Sequence, residues 1–299
     1  MRSGVPTAGV LMAVVAATLW GLSGTFGQFL FSERAFEPEW LVSTRLLVSG
    51  ALLLVFSSAR GFPVFAVWRN RSHALQLLLF GILGMLGVQY TFFAAIQHGN
   101  APTAAILQYT APVMIAIWLA LISRAWPTRR VLATIALTIV GTFLLVTGGD
   151  FGTLHIAPLG VFWGLLSAVA LAFYSIQPSS LLAHHRSAVV VAWGMLIGGI
   201  ALTPLGKPWV PSGEWDAMTW LALFVIIVLG SFVAFTLYVS AIRAVGPQTA
   251  SLLTSAEPLS ATFFTVLWLR TPFGIVDAIG GACIIVAVAI LTAQKRKIR

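Results

Sequence analysis

Polar and aromatic side chains recur at helical spacing inside stretches that are otherwise apolar. Gln89, Phe93 and Gln97 stand four residues apart, so a helix sets two amides and a ring on one face, with Tyr90 beside them. Gln108 and Tyr109 follow on the next apolar stretch, and Trp20 and Ser23 lie near the middle of the first. Later stretches add Trp163 and Tyr174, then Tyr238, then Thr254, Ser255 and Glu257. Amides and hydroxyls in hydrocarbon need partners, so these groups are expected to face a bundle interior. Hydrogen bonds between helices are one use for them. The other is binding: rings stack on the apolar body of a small molecule while amides and hydroxyls take its polar ends. The expected substrate-binding set is Trp20, Ser23, Gln89, Tyr90, Phe93, Gln108, Tyr109, Trp163, Tyr174, Tyr238, Ser255 and Glu257.

Charges inside apolar stretches are few. Glu257 falls near a bilayer midplane, where a lone carboxylate is costly. It reads as a structural element beside Pro258, as a protonatable coupling group, or as the partner of a substrate ammonium. Arg45 lies about one turn from the end of its stretch, so snorkelling to the interface is expected, with attraction of a substrate carboxylate as the alternative. Arg270 and Asp277 flank a short connection and are expected to pair. Several chemistries are missing. No Gly-x4-Gly-Lys-Ser/Thr loop, no His-Glu-x-x-His helix and no Gly-x-Ser-x-Gly elbow occurs. Cys283 is the single cysteine, which excludes an intrachain disulfide and a cysteine metal site. Neither a metal nor a cofactor is expected, and no enzyme activity.

The elements that position these residues follow from composition. Hydrophobic residues make up 59% of the chain, charged residues only 8%, and the mean hydropathy is +0.97. A soluble domain carries about 25% charged residues, so most of this chain must face lipid or other buried helices. Apolar runs of roughly 20 residues favour spanning helices over the alternating strands of a barrel. Ten spans are expected at about 6–30, 39–58, 73–97, 101–123, 128–147, 156–182, 187–206, 216–242, 247–270 and 272–293. The first runs too far for a cleaved signal peptide. A net charge of +9 would suggest nucleic acid in a soluble protein. Here the basic residues sit at helix ends, so the expected partners are the bilayer and a small-molecule substrate, not nucleic acid. Arg60, Arg69, Arg71, Arg124, Arg129, Arg130, Arg186, Arg243 and the basic tail from Lys295 to Arg299 all fall on one side. The positive-inside rule then places both termini in the cytoplasm of a cell with an inner membrane. Trp40, Trp126, Trp209, Trp215 and Trp220 lie at span ends and read as interfacial anchors.

A repeat organises the spans. Ala95-Ile96, Thr103-Ala104, Leu107 and Pro112 return at one constant, ungapped offset as Ala241-Ile242, Thr249-Ala250, Leu253 and Pro258. Five spans per copy is an odd number, so the second copy enters from the opposite side. The expected fold is all-α, with inverted five-helix repeats over 1–149 and 150–299 and a binding site between them. Pro112 and Pro258 are expected to bend the fourth and ninth helices and free carbonyls toward a cavity. Closely spaced glycines such as Gly21, Gly24 and Gly27, or Gly81, Gly84 and Gly87, read as close helix contacts.

Trp20-Gly21 in the first span and Ala241-Ile242-Arg243…Gly246…Thr249-Ala250…Leu253…Glu257-Pro258 in the eighth and ninth are the most specific segments. With ten spans in two halves, they resemble the EamA-type branch of the drug/metabolite transporter superfamily, across nearly the whole chain. The resemblance implies a central cavity lined by helices 1, 3, 4, 6, 8 and 9, with helices 5 and 10 peripheral. It also implies export of amino acids or other small metabolites; the structurally understood type in the branch exports aromatic amino acids. The expected function is therefore an inner-membrane secondary transporter working by alternating access, as a monomer or weak homodimer. A proton-coupled drug or cation antiporter using Glu257 is the rival within transport, and a lipid-handling flippase the rival outside it.

Overall fold

The computed structural model describes residues 7–111, 113–115, 117–118, 129–148, 156–245, 253–254 and 256–293, and among these it is helical with no strand. The helices are α1 (Thr7–Glu33), α2 (Pro38–Ala59), α3 (Arg71–Leu79, Phe80–Leu86 and Gly87–Gln97 in one run), α4 (Ala101–Gln108) and α5 (Arg129–Thr147). They continue as α6 (Pro158–Ile176, then Ser179–His184 after a break at Gln177-Pro178), α7 (Ser187–Gly206), α8 (Ala217–Phe224, Val225–Val233 and Ala234–Val245 in one run), α9 (Ala256–Leu269) and α10 (Ile275–Ala293). Six are long and apolar enough to cross a bilayer, namely α1, α2, α3, α6, α7 and α8, and two shorter apolar stretches lie in α5 and α10. The chain is a multi-pass membrane protein.

Local chemistry starts the helices where it should. Asn100 caps α4 by accepting from the Thr103 amide at 2.8 Å, and Asp216 caps α8 by accepting from Thr219 at 2.7 Å. Pro38 opens α2 at a position where its missing N–H costs nothing. α7 ends at Lys207 in the left-handed region, with φ 40°.

Packing carries the duplication. α1 lies along α8 and α9, and α6 along α3 and α4; α2 pairs with α7, and α5 with α10. Exchanging each helix for the one five later leaves this pattern unchanged. Among the described residues α5 and α10 pack chiefly on each other, at the periphery as expected. A second echo lies in the backbone. The offset that links Ala95 to Ala241 carries Phe80–Leu86 to 226–232, and both stretches are π-helical. Bulges of this kind widen a helix and gather at functional positions.

The end of the bundle where α1 finishes, the far end, is closed. Arg34 pairs with Asp216 at 2.8 Å, Trp40 donates to the Val210 carbonyl at 2.8 Å, and the rings of Phe36, Trp40 and Trp215 lie 5.2 to 5.6 Å apart. Gly213, at φ 68°, turns the loop directly against Phe36. Trp40 is thus 6% exposed and part of an aromatic plug, not the lipid-facing anchor its place in the sequence suggests; Trp209 and Trp220, 68% and 64% exposed, fit that role. Trp126 lies outside the described residues. The expected pairing of Arg270 with Asp277 is replaced by a cap, because Asp277 accepts from the Gly274 amide at 2.7 Å and Arg270 has no ion-pair partner among the described residues.

Asp216 gives the far end an acid limit. The Thr219 amide, then Arg34, hold its carboxyl at about 2, below the ordinary 3.8. A depressed value means the cap contributes fully above the usual carboxylate range and is lost as pH falls toward 2. Purified protein should therefore melt at lower temperature between about pH 4 and pH 2. Asp216→Asn should flatten that part of the profile while lowering the plateau at neutral pH.

Candidate functional site

The centre of the bundle gathers groups from α1, α2, α4, α8 and α9. Trp20 on α1 is framed edge-on by Phe235 and Tyr238 of α8, both with ring centroids 5.2 Å away. Its indole Nε1 is buried and has no hydrogen-bond partner among the described residues. Ser23, one turn further, has a buried Oγ that is likewise unpartnered among them, and packs on Gly230 in the π-helical stretch of α8. Two orphaned polar atoms one turn apart are unusual, since buried polar groups are nearly always satisfied.

Charge surrounds this spot. Arg45 of α2 is 4% exposed and turns inward: Nε donates to Ser231 Oγ at 2.6 Å, and Nη2 reaches the Gly230 carbonyl at 3.4 Å. Its guanidinium lies 5.0 Å from the ring centre of Phe93. The snorkelling expected of Arg45 does not occur, because the widened turn of α8 offers it acceptors inside the bundle. Glu257 of α9 interacts electrostatically with Arg45 and with Tyr109, yet makes no ion pair with Arg45 and no side-chain hydrogen bond among the described residues. Tyr109 lies beside Thr254 and interacts with Tyr238, which interacts in turn with Tyr174 of α6.

The remaining expected residues fall elsewhere. Tyr90 donates to Glu39 at 2.6 Å and packs edge-on with Trp163 at 5.6 Å, so these two belong to a far-end cluster with the start of α2. Gln108 donates to Ser167 Oγ at 2.5 Å, an amide used to tie α4 to α6. Phe93 is fully buried core under Arg45, and Gln89 is buried on α3. Tyr174 rests tilted on Phe80, 5.1 Å away, within the first π-helical stretch. Ser255 and Pro112 lie outside the described residues. Pro258 stands in the first turn of α9, which starts at Ala256 after a turn at Thr254. Leu253 is helical as well, so the run is interrupted at Thr254, the residue whose carbonyl an N–H at position 258 would have bonded.

Two cavities open at the opposite, near end. One, of about 100 Å³, lies between α2, α7 and α8, is lined in part by Phe56, Arg60 and Thr236, and includes Phe235, the ring against Trp20. The other, of about 490 Å³, lies at the loops and includes His184, His185 and Arg186. His185 contacts His73 at 3.0 Å, and burial, then the neighbouring His73 and His184, lower its pKa. Among the described residues no His, Cys, Asp and Glu group could hold a metal. The smaller cavity thus reaches one of the rings that frame Trp20.

A helical membrane bundle with a polar site at mid-span defines the class, and the comparisons define the family. The profile of the EamA-like transporter family matches residues 7–147 and again 158–293. The chain belongs to that family and is a membrane transporter. It is 37% identical to an uncharacterized inner membrane transporter, YicL, of Salmonella typhimurium, over 97% of this chain and 96% of that protein. It is 27% identical to the threonine/homoserine exporter RhtA of Salmonella typhimurium, over 76% of this chain and 73% of that protein. One solved crystal structure superposes with a TM-score of 0.65 at 21% identity, over 98% of this chain and 99% of its own.

Sequence reasoning missed Ser231, Phe235 and Glu39 as members of these clusters, and it ranked attraction of a substrate carboxylate by Arg45 behind snorkelling. The signal for Arg45 was its isolation: a cation inside an apolar stretch with a Gly-Ser pair, Gly230-Ser231, as its eventual acceptor.

Proposed function

We propose that this transporter exports amino acids, aromatic or hydrophobic ones among them, or closely related small metabolites. The reading takes ten spans in two inverted halves, 1–149 and 150–299, with both termini in the cytoplasm of an inner membrane, acting as a monomer or weak homodimer. Alternating access rocks the halves around the central site. The observation that carries it is the pairing of unsatisfied Trp20 Nε1 and Ser23 Oγ with nearby opposite charges, Arg45 and Glu257, under an aromatic wall. A zwitterion with an apolar side chain matches that lining. The exporter name of a relative at 27% identity supports the amino acid class.

Glu257 keeps a second reading open, that of a proton-coupled antiporter of drugs or cations, because its carboxylate has no hydrogen bond among the described residues. Purified protein in liposomes separates the two. Counterflow of labelled amino acids that persists without a pH gradient supports amino acid export. Strict dependence on the gradient, with proton release on substrate binding, supports the antiporter. Scrambling of labelled lipid with no amino acid flux overturns both in favour of a flippase.

A further inference from the structure

Arg45 has five N–H donors and, among the described residues, uses two, on Ser231 Oγ and the Gly230 carbonyl. Among the described residues no carboxylate stands within ion-pair distance of it. A buried guanidinium kept in this state inside a bilayer is costly unless something completes it. Glu257, which interacts with it electrostatically, likewise has no ion-pair partner among the described residues. The two are held at neighbouring levels by the same helix. Gly230, which binds Arg45, packs on Ser23 of α1, while the Glu257 carbonyl packs on Gly21 of α1. Two residues along a helix correspond to about 3 Å of rise and about 200° of turn, so the two contacts lie at similar depth on opposite sides of α1. Among the described residues the unpartnered Ser23 Oγ lies at the Gly230 level and Trp20 Nε1 one turn below it.

The scaffold makes the charges more pointed. The mirrored contacts of Gly50 with Leu196 and of Gly199 with Leu47 set the register of α2 against α7, which makes Arg45 the counterpart of Gly194, and the offset that links Ala95 to Ala241 makes Glu257 that of Ala111 beyond Tyr109. Each half therefore supplies one charge where its counterpart supplies a small apolar residue, so the pair is not a by-product of the duplicated packing. Opposite charges that interact without forming an ion pair among the described residues suit a molecule that carries both signs.

We propose that Arg45 and Glu257 are the two poles of a zwitterion seat: the free N–H groups of Arg45 take the substrate carboxylate, and the Glu257 carboxylate takes its ammonium. Trp20 Nε1 and Ser23 Oγ supply further polar contacts, and Phe235 and Tyr238 form the wall for the side chain. This rests on the amino acid reading above and specifies it. The seat requires both an unblocked carboxylate and an ammonium; an amine without the carboxylate leaves Arg45 unsatisfied, and an acid without the amine leaves Glu257 unsatisfied.

The test uses wild-type protein in liposomes and an amino acid that it moves in counterflow. The decarboxylated amine and the deaminated acid of that amino acid are offered as competitors. Losing one charge-assisted contact should weaken each by roughly tenfold to a hundredfold relative to the parent. In Arg45→Gln the parent's KM should rise by a similar factor while competition by the amine stays near its wild-type level, and Arg45→Lys should recover part of the loss. An amine that competes as well as the parent in wild-type protein overturns the seat while leaving amino acid export standing. Absence of any amino acid flux in wild-type protein instead overturns the reading beneath it. If Arg45→Gln does not fold, the competition series on wild-type protein decides alone.

Discussion

Gly21→Leu is expected to yield no folded, transport-competent protein. A carbon added at Gly21 would overlap the Ser260 side chain and lie 2.6 Å from the Glu257 carbonyl oxygen and 2.7 Å from the Ala261 nitrogen. Two of these neighbours are backbone and cannot swing aside. α1 and α9 would have to separate, breaking the Thr25–Thr265 hydroxyl contact at 3.0 Å and shifting Glu257. Overpacking of this sort costs about 1–3 kcal/mol for small additions, and a leucine against backbone exceeds that. Gly24→Ala, one turn along the same helix, is the control, since its added carbon meets only ordinary contacts at 3.6 Å and beyond. Thermal unfolding and size-exclusion profiles in detergent read both variants. If Gly21→Leu melts like wild type, α1 does not pack on α9 through this glycine.

Much of this scaffold was legible because hydropathy over about 20 residues is a statement about length and solvent, and both are local. The stretches 39–58 and 187–206 correspond to Pro38–Ala59 and Ser187–Gly206 within one residue at either end. Glycine spacing also carried through: Gly21 and Gly81 sit where helix backbones touch. What depth along a helix does not reveal is which way a side chain points. Arg45 and Trp40 occupy positions suited to the interface, and both turn inward because a partner waits on a distant segment, Ser231 for one and Val210 for the other. Tyr90 and Trp163 suit a central cavity by type, yet the rotation of α3 and α6 brings them to Glu39 at the far end. The π-helical stretches were invisible for a related reason. Their bonding pattern depends on what packs against the helix, as where Ser231 donates back to the Ile226 carbonyl at 3.0 Å.

Removing one pole of the Arg45–Glu257 pair should damage the protein more than removing both. In Glu257→Met the guanidinium keeps its charge, since arginine does not deprotonate in proteins. It then lacks its compensating charge within the bilayer. Stranding one buried charge is destabilising, whereas replacing both opposite charges with apolar residues of similar volume is often neutral. Arg45→Met should cost less than Glu257→Met, because an isolated carboxylic acid can take up a proton and discharge. The double variant Arg45→Met/Glu257→Met should recover most of the unfolding temperature lost in Glu257→Met, and still move no amino acid. That combination separates the two tasks of the pair: compensation of charge survives its removal, and substrate binding does not. A double variant whose losses simply add would mean that the two charges do not act on each other through the central site. One that still transports would place the site elsewhere in the bundle.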